Sequence, residues 1–314
     1  MMRTLLRVLA VALAVLVAAL VVTWAPDKPV AELTERWAPA PSTFIQVAGM
    51  SVHVRDEGPR DDPMPIVLLH GTSASLHTWN GWVERLSATR RVIRFDLPGF
   101  GLTGPSPTHE YHMQAYADFV AAMLDALELD QVTLGGNSLG GHIAWETALA
   151  YPERVSQLIL VDSGGYPLNP ESMPIGFRIA LIPGLNRIME FTLPRFMVAA
   201  SVRDVYGDPS RVTPELIDRY YDLTLRAGNR QALRERFEQT PLMKSGAAIA
   251  GITQPTLILW GGQDRLIEPK HAHQFDQDIA NSELVMFEQL GHVPQEEDAD
   301  ETVAVVERWL SAEK

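Results

Sequence analysis

The sequence predicts an α/β fold in which a mostly parallel sheet is covered by helices. Two observations predict this class. First, short apolar runs alternate with stretches of helical periodicity over residues 44–162, and this alternation returns over residues 255–314. Strands and helices that alternate in this way form a parallel sheet with helices on its faces. Second, residues 163–254 show no clear strand pattern, which predicts a helical insertion.

The individual elements follow from the lengths of the periodic segments, because short apolar runs are typical of buried strands and longer 3.6-residue patterns are typical of helices. The predicted strands are residues 51–55, 66–69, 92–95, 132–135 and 158–161, a run that begins at Thr256, and residues 283–287. The predicted helices are residues 76–86, 111–127, 138–151 and 301–310, with amphipathic stretches at 214–225 and 229–239 inside the insertion.

The N-terminal residues 1–24 are predicted to be a separate segment. An unbroken apolar run over residues 8–22 is typical of a signal peptide or a membrane anchor. No convincing small-residue cleavage site follows it, and Trp24 suits a membrane interface, so we favour the anchor. Its N-terminal arginines would place the rest of the chain on the extracytoplasmic side. Cleavage would instead give a secreted or periplasmic protein.

Residues 25–43 contain four prolines and are predicted to be a tether between this segment and the folded domain. Within the tether, residues 31–37 could form one or two helical turns.

The composition excludes several functions. The chain has 314 residues, a net charge of −13 and no cysteine. The negative charge argues against nucleic-acid binding, which requires basic patches. Without cysteine, the protein has no disulfide, no thiol nucleophile and no cysteine-ligated zinc. His271 and His273 lack neighbouring carboxylates at ligand spacing, so we expect a solvated pair rather than a metal site.

The most informative motif is Gly136-Asn137-Ser138-Leu139-Gly140, which lies between a predicted strand and a predicted helix. A G-x-S-x-G pentapeptide is weak by itself. At a strand-to-helix turn, however, it indicates a nucleophile elbow, where the serine hydroxyl is raised above the edge of the sheet. The two glycines would leave room for the close approach of strand and helix.

Partners for a serine nucleophile occur later in the chain. A serine hydroxyl needs a base to accept its proton, and that base needs an acid to hold its tautomer. Asp264 follows the apolar run that begins at Thr256, and His292 follows the predicted strand 283–287. Both residues are therefore expected in loops at the carboxyl ends of strands.

This serine, aspartate and histidine order resembles the α/β-hydrolase family. Two further motifs strengthen the resemblance, His70-Gly71-Thr72 after one predicted strand and Asp96-Leu97-Pro98-Gly99-Phe100-Gly101 after another. The resemblance extends from about residue 44 to the C-terminus. It implies an eight-stranded, mostly parallel sheet, a core of residues 44–162 and 255–314, and a helical cap of residues 163–254 inserted after strand 6.

The resemblance also implies roles for site residues. Ser138 would be the nucleophile, His292 the base, and Asp264 the acid that orients His292. The backbone N–H groups of Thr72 and Leu139 would form the oxyanion hole. The family chemistry implies neither a cofactor nor a metal.

Two enzymatic functions fit these residues. An esterase or lipase would cleave hydrophobic carboxylic esters through an acyl-enzyme intermediate, and the apolar early part of the cap favours such a substrate. Asn137 keeps open a carbon–carbon bond hydrolase that acts on aromatic ring-cleavage products. The carbon–carbon hydrolases of this family commonly have a tryptophan after the catalytic histidine and an H-G-S-G-P-G oxyanion loop. Here Val293 follows His292 and Ser73 follows Thr72, so the resemblance favours the esterase.

Two further possibilities concern ligands. A non-catalytic, ligand-binding member of this fold is a third alternative, against which the complete serine, aspartate and histidine set argues. Three cap arginines could meet a substrate carboxylate or could be solvated or ion-paired at the surface. They are Arg178, Arg187 and Arg195.

Overall fold

The computed structural model describes residues 2–168, 173, 177–178, 182, 184–240 and 246–312. An eight-stranded sheet in the order β1-β2-β4-β3-β5-β6-β7-β8 forms its centre. The strands are β1 Thr43–Val47, β2 Met50–Glu57, β3 Ile66–Leu69, β4 Val92–Phe95, β5 Val132–Asn137, β6 Val155–Val161, β7 Thr256–Gly261 and β8 Ser282–Phe287. β1 and β2 pair antiparallel at one edge, and the strands from β4 to β8 pair parallel. The predicted fold class is confirmed.

Helices cover both faces of this sheet. The described helices are α1 Met2–Thr23, α2 Val30–Trp37, α3 Asn80–Leu86, α4 Met113–Ala126, α5 Leu139–Ala150, α6 Leu185–Ile188, α7 Arg195–Asp204, α8 Pro214–Thr224, α9 Asn229–Gln239, α10 Lys270–Asp278, α11 Pro294–Glu297 and α12 Ala299–Ala312. Short 3₁₀ helices span Leu76–Trp79, Pro209–Arg211 and Ile249–Gly251.

The strand residues alternate between two apolar clusters, as the pleat of a strand requires. In β3, Val67 and Leu69 pack into the cluster that includes α4, α5 and α10, whereas Ile66 and Leu68 pack into the cluster that includes α3 and α12. All four side chains are fully buried. This burial on both faces explains why the strand reads as a continuous apolar run rather than as an alternating one.

The edge strand β1 differs from the prediction, which placed no strand before residue 51. Its residues are mostly exposed, with only Val47 buried. An exposed edge strand carries little hydrophobic periodicity, so its residues do not show the pattern that predicts a strand. The predicted helix 76–86 is also divided, into a 3₁₀ turn and α3.

The chain between β6 and β7 contains helices α6 to α9 and no described strand. The amphipathic stretches predicted at 214–225 and 229–239 correspond to α8 and α9. Part of the apolar stretch that precedes them lies outside the described residues.

The N-terminal apolar run forms α1, but the predicted localisation is contradicted. Within the described portion of the chain, no helix has both the length and the apolar character that crossing a membrane requires. That finding contradicts the membrane-anchored location predicted from the sequence. Trp24, which we expected at a membrane interface, stacks on Phe191 of the insertion with ring centroids 5.8 Å apart. The Leu193 N–H donates to the Thr23 carbonyl, so the end of α1 is attached to the insertion.

The segment interpreted as a tether is packed against the insertion. The segment contains α2, whose Trp37 is buried. Three side chains of the segment contact Asp222 of α8. Lys28 Nζ, Arg36 Nη1 and Trp37 Nε1 donate to that carboxylate at 2.9, 3.2 and 3.1 Å. A buried carboxylate with several donors is well satisfied, so these contacts fix the segment to α8.

On its other side, α2 is held by His77. His77 Nε2–H donates to the Trp37 carbonyl at 2.8 Å, and Nδ1 accepts from the Ser75 hydroxyl. Burial lowers the pKa of His77 to about 3, so the ring is neutral in the folded protein.

We predict that His77 makes the fold sensitive to acid. The unfolded chain takes up a proton at this ring near pH 6.5, whereas the folded chain does so only near pH 3. The contribution of His77 to the free energy of unfolding is therefore fully present above pH 6.5. It decreases by roughly 1.4 kcal/mol for each pH unit below pH 6.5. Urea unfolding from pH 7 to pH 5 should show a smaller loss of unfolding free energy for His77→Gln than for the wild type. The exposed His273, changed to Gln, is the control, and equal pH slopes for wild type and His77→Gln would refute the prediction.

Candidate active site

Ser138 lies in the turn between β5 and α5, with φ 57° and ψ −114°. Backbone contacts hold this left-handed conformation: Ser138 N–H donates to the Val161 carbonyl, and the Ser138 carbonyl accepts from Gly164 N–H. The glycines of the motif are required sterically. A Cβ on Gly136 would lie 2.2 Å from the Gly140 carbonyl carbon, and one on Gly140 would lie 2.2 Å from the Leu69 carbonyl oxygen. The strand and helix can approach this closely only without those side chains.

Asp264 and His292 form a hydrogen-bonded pair at the ends of β7 and β8. Asp264 Oδ2 lies 2.7 Å from His292 Nδ1, and both side chains are buried. Asp264 Oδ1 accepts from the N–H groups of Leu266 and Ile267 at 2.8 and 3.0 Å. Since the Asp264 carboxylate accepts a hydrogen bond from the His292 Nδ1–H, the His292 Nε2 atom is free to accept a proton.

A cavity of about 220 Å³ lies over the serine, and the structure places four of the five predicted site residues on its wall. They are Thr72, Ser138, Leu139 and His292. The fifth, Asp264, lies behind His292. The N–H groups of Thr72 and Leu139 have no acceptor within the described ranges of the chain, so both are available to a bound oxygen. The catalytic roles of the five residues remain predictions.

The remaining wall of the cavity is mainly apolar. Side chains from the insertion contribute most of it. They are Met173, Phe177, Met189, Leu193, Met197, Val198 and Phe237. Met and Phe side chains present a large, adaptable apolar surface, which suits a hydrophobic group.

The cations of the cavity are not those that we considered from sequence. Arg178 and Arg187 are exposed, and Arg195 pairs with Asp218 at the surface. Instead, Arg230, Arg234 and Arg236 of α9 line the cavity. The amphipathic pattern of residues 229–239 predicted the helix but did not indicate which of its arginines face inward.

Asp162 is a site residue that the sequence reasoning missed. It follows β6, is fully buried, and accepts a hydrogen bond from Gly261 N–H at 3.0 Å. Burial and the negative charge of Asp264 raise its pKa well above the usual value, which favours the neutral carboxyl group. Its Oδ2 is buried without a hydrogen-bond partner among the described residues. Its position just past the end of a strand next to β7 was the signal for it.

Asp162, Asp264 and His292 each offer one ligand atom, and these three atoms lie within 4.8 Å of one another. Among the described residues, this is the set that could hold a cation. Within this set, Asp264 Oδ2 lies 2.7 Å from His292 Nδ1, and burial raises the pKa of Asp162.

Other histidines have structural contacts. His70 is buried, donates from Nδ1 to the Gly71 carbonyl and accepts from Leu97 N–H at Nε2, so it supports the loop before Thr72. His271 is buried against Tyr166, which differs from the solvated pair that we expected, whereas His273 is exposed. The place of His271 on the inner face of α10 explains why it is buried.

Comparison with known proteins agrees with this geometry. Residues 64–299 match the family described as having the alpha/beta hydrolase fold. The chain belongs to the α/β-hydrolase family. The match covers the sheet from β3 to β8, the insertion and all five predicted site residues.

Three similar proteins illustrate the range of the family. A 2-hydroxymuconate semialdehyde hydrolase from Pseudomonas sp. strain CF600 is 29% identical over 85% of this chain and 93% of its own. The structure of a meta-cleavage product hydrolase from Pseudomonas fluorescens IP01 is 26% identical, covers 87% of this chain and 98% of its own, and has a TM-score of 0.73. A structure described as a membrane phospholipase A, a bacterial virulence factor, is 26% identical with a TM-score of 0.73 and covers 99% of both chains.

These similarities support hydrolase activity. Relatives named for ring-cleavage products correspond to the carbon–carbon alternative better than to the ester interpretation that we favoured from sequence.

We predict that the protonated Asp162 makes stability fall as pH rises. The carboxyl group of Asp162 loses its proton near pH 3.9 in the unfolded chain but keeps it to a higher pH in the folded chain. Its contribution to the free energy of unfolding is therefore complete below about pH 3.9 and is lost as the pH rises through the folded pKa. Asp162→Asn keeps the size and the acceptor oxygen of the side chain but cannot ionise. Unfolding free energies measured from pH 4 to pH 8 should therefore show the variant gaining on the wild type with rising pH. The exposed Asp300, changed to Asn, controls for surface charge, and a constant difference across this range would contradict the prediction.

Proposed function

We propose that the protein is a carboxylic ester hydrolase for substrates with a hydrophobic acyl group. The observation that carries this proposal is the largely apolar cavity directly over Ser138, which also exposes His292 and two unpaired backbone N–H groups. An apolar cavity with a few convergent polar groups is the usual form of a small-molecule site.

The proposed reaction uses only groups of this cavity. Ser138 Oγ attacks the ester carbonyl while His292 Nε2 accepts its proton, and the N–H groups of Thr72 and Leu139 stabilise the oxyanion. Asp264 holds the Nδ1–H of His292 and stabilises the imidazolium. His292 then protonates the leaving alcohol, and water attacks the acyl-enzyme with His292 again as base. The bond between Ser138 Oγ and the acyl group breaks, His292 returns the proton to Ser138 Oγ, and the carboxylic acid leaves.

The contacts of Asn137 remove this residue as an argument for the carbon–carbon reaction. In the sequence analysis, Asn137 kept carbon–carbon bond hydrolysis open as an alternative. Its Nδ2 donates to the carbonyls of Val161 and His292 at 3.2 and 2.9 Å, so both amide hydrogens are used by the backbone. The residue thereby holds the His292 loop against β5 and β6. Its presence is explained without a role in binding a ring-cleavage product.

The extent of one similarity also supports the ester reaction. The phospholipase structure matches 99% of this chain, which includes α1 and α2, whereas the meta-cleavage product hydrolase matches 87%. The N-terminal helices are thus part of what this chain has in common with an enzyme named for cleaving lipid esters.

Carbon–carbon hydrolysis of ring-cleavage products is the second candidate. The names of the curated relatives favour it, over 85% and 86% of this chain. It would use the same serine, histidine and oxyanion donors.

We predict that the full chain hydrolyses p-nitrophenyl esters, with kcat/KM rising from acetate towards medium or long acyl chains as apolar contact increases. Ser138→Ala should lower kcat by about 10³-fold or more, since it removes the nucleophile. Ser201→Ala is the matched control because Ser201 lines the same cavity outside the elbow. Release of p-nitrophenol measures both.

The same preparations should be tested on 2-hydroxymuconate semialdehyde by loss of its absorbance. Turnover of this compound without turnover of any ester, removed by Ser138→Ala, would replace the proposal with the second candidate.

A further inference from the structure

We propose that Arg236 forms an anion-binding site in the wall of the cavity, so that the substrate carries a carboxylate or phosphate besides its ester. This inference rests on the proposed function, because it describes the substrate of the same cavity. Arg236 lies on α9, lines the cavity with Ser138, and is only 3% exposed.

Arg236 has no acidic partner in the described parts of the structure. Its Nε is buried without a hydrogen-bond partner, and none of the described hydrogen bonds or ion pairs involves its guanidinium. Its contact is with the neighbouring Phe237 ring, 4.6 Å from the guanidinium carbon to the ring centroid. Burial lowers the pKa of Arg236, and no carboxylate opposes this effect.

The other arginines near the cavity are neutralised. Arg234 pairs with Glu190 and Glu238. Arg219 pairs with Glu296. Arg230 pairs with Asp27 through one terminal nitrogen, although its Nε and Nη1 are buried without partners. Arg236 therefore gives this part of the cavity an uncompensated positive charge.

The Phe237 contact does not compensate for this burial. A cation–π contact stabilises a desolvated cation by less than the burial of an unpaired charge costs. An anion that enters the cavity would supply the missing partner, and guanidinium groups bind carboxylate and phosphate in a bidentate way.

The cavity contains both the reacting serine and this cation, with apolar side chains between the polar groups of its wall. A substrate that fits would have an ester at Ser138, an apolar chain along Met and Phe side chains, and an anionic group at Arg236. Monoesters of dicarboxylic acids and phosphate-bearing esters belong to this class.

Binding tests the site without turnover. Isothermal titration of Ser138→Ala with octanoate, octyl phosphate and octanol compares two anions with a neutral molecule of similar length. We expect both anions, or one of them, to bind at least tenfold more tightly than octanol, and the tighter anion identifies the source. Equal binding of all three would overturn the proposal.

Variants assign the effect to Arg236. Arg236→Met should remove the preference for anions, and Arg236→Lys should retain part of it. Arg195→Gln should leave the preference unchanged, because Arg195 pairs with Asp218 at the surface and does not line the cavity. Thermal unfolding of each variant establishes that it is folded. An anion preference that survives in a folded Arg236→Met would overturn the proposal.

Turnover then separates this proposal from the proposed function. With wild type, monomethyl suberate should have at least tenfold higher kcat/KM than methyl octanoate, and Arg236→Met should equalise the two by lowering kcat/KM for monomethyl suberate. Hydrolysis of both esters at equal rates, without anion-selective binding, would reject the anion site and keep the esterase. Anion-selective binding without hydrolysis of either ester would keep the site and reject the esterase.

Discussion

The positive φ of Ser138 is the constraint on which the site depends. A non-glycine residue in this conformation costs about 1–3 kcal/mol, which the surrounding contacts must offset. Here hydrogen bonds to the Val161 carbonyl and from the Gly164 N–H hold the turn. Gly136 and Gly140 leave the space that the turn needs. Relaxing any of them would let the serine return to an ordinary strand or helix conformation. The hydroxyl would then no longer face the cavity, and the Leu139 N–H would no longer begin α5 beside it.

The order of the sheet brings the other groups to this turn. Ser138, Asp162, Asp264 and His292 follow β5, β6, β7 and β8, which are neighbours in the sheet. Because parallel strands end at the same edge, residues far apart in sequence meet there. The Asn137 amide ties the His292 loop to β5, and Asp162 Oδ1, which follows β6, accepts a hydrogen bond from Gly261 N–H of β7. The result is a row of polar side chains along the edge of the sheet, with the cavity above it.

Much of this arrangement could be predicted from the sequence, for physical reasons. Strands such as β3 are buried on both faces, so they read as apolar runs, and the elbow glycines are fixed by close backbone contact. The exposed edge strand β1 lacks such a pattern. Asp162 and Arg236 were missed because a single charged residue has the same appearance in sequence whether it is solvated or buried, and only the tertiary structure supplies the burial that changes its chemistry. The apolar run at the N-terminus gave a clear helix but a wrong location, since hydropathy alone does not determine what a helix contacts.

The ion pair between Asp27 and Arg230 has a consequence for how such an enzyme can diversify. Asp27 belongs to the N-terminal segment, outside residues 64–299 that match the family, yet it neutralises a cation of the cavity. The electrostatic balance over the serine is therefore divided between an appended segment and the inserted helices. A substitution in the appendage can alter which substrates are accepted while the nucleophile, base and oxyanion donors stay untouched. Specificity and chemistry are in this way encoded in separate parts of the chain and can vary independently.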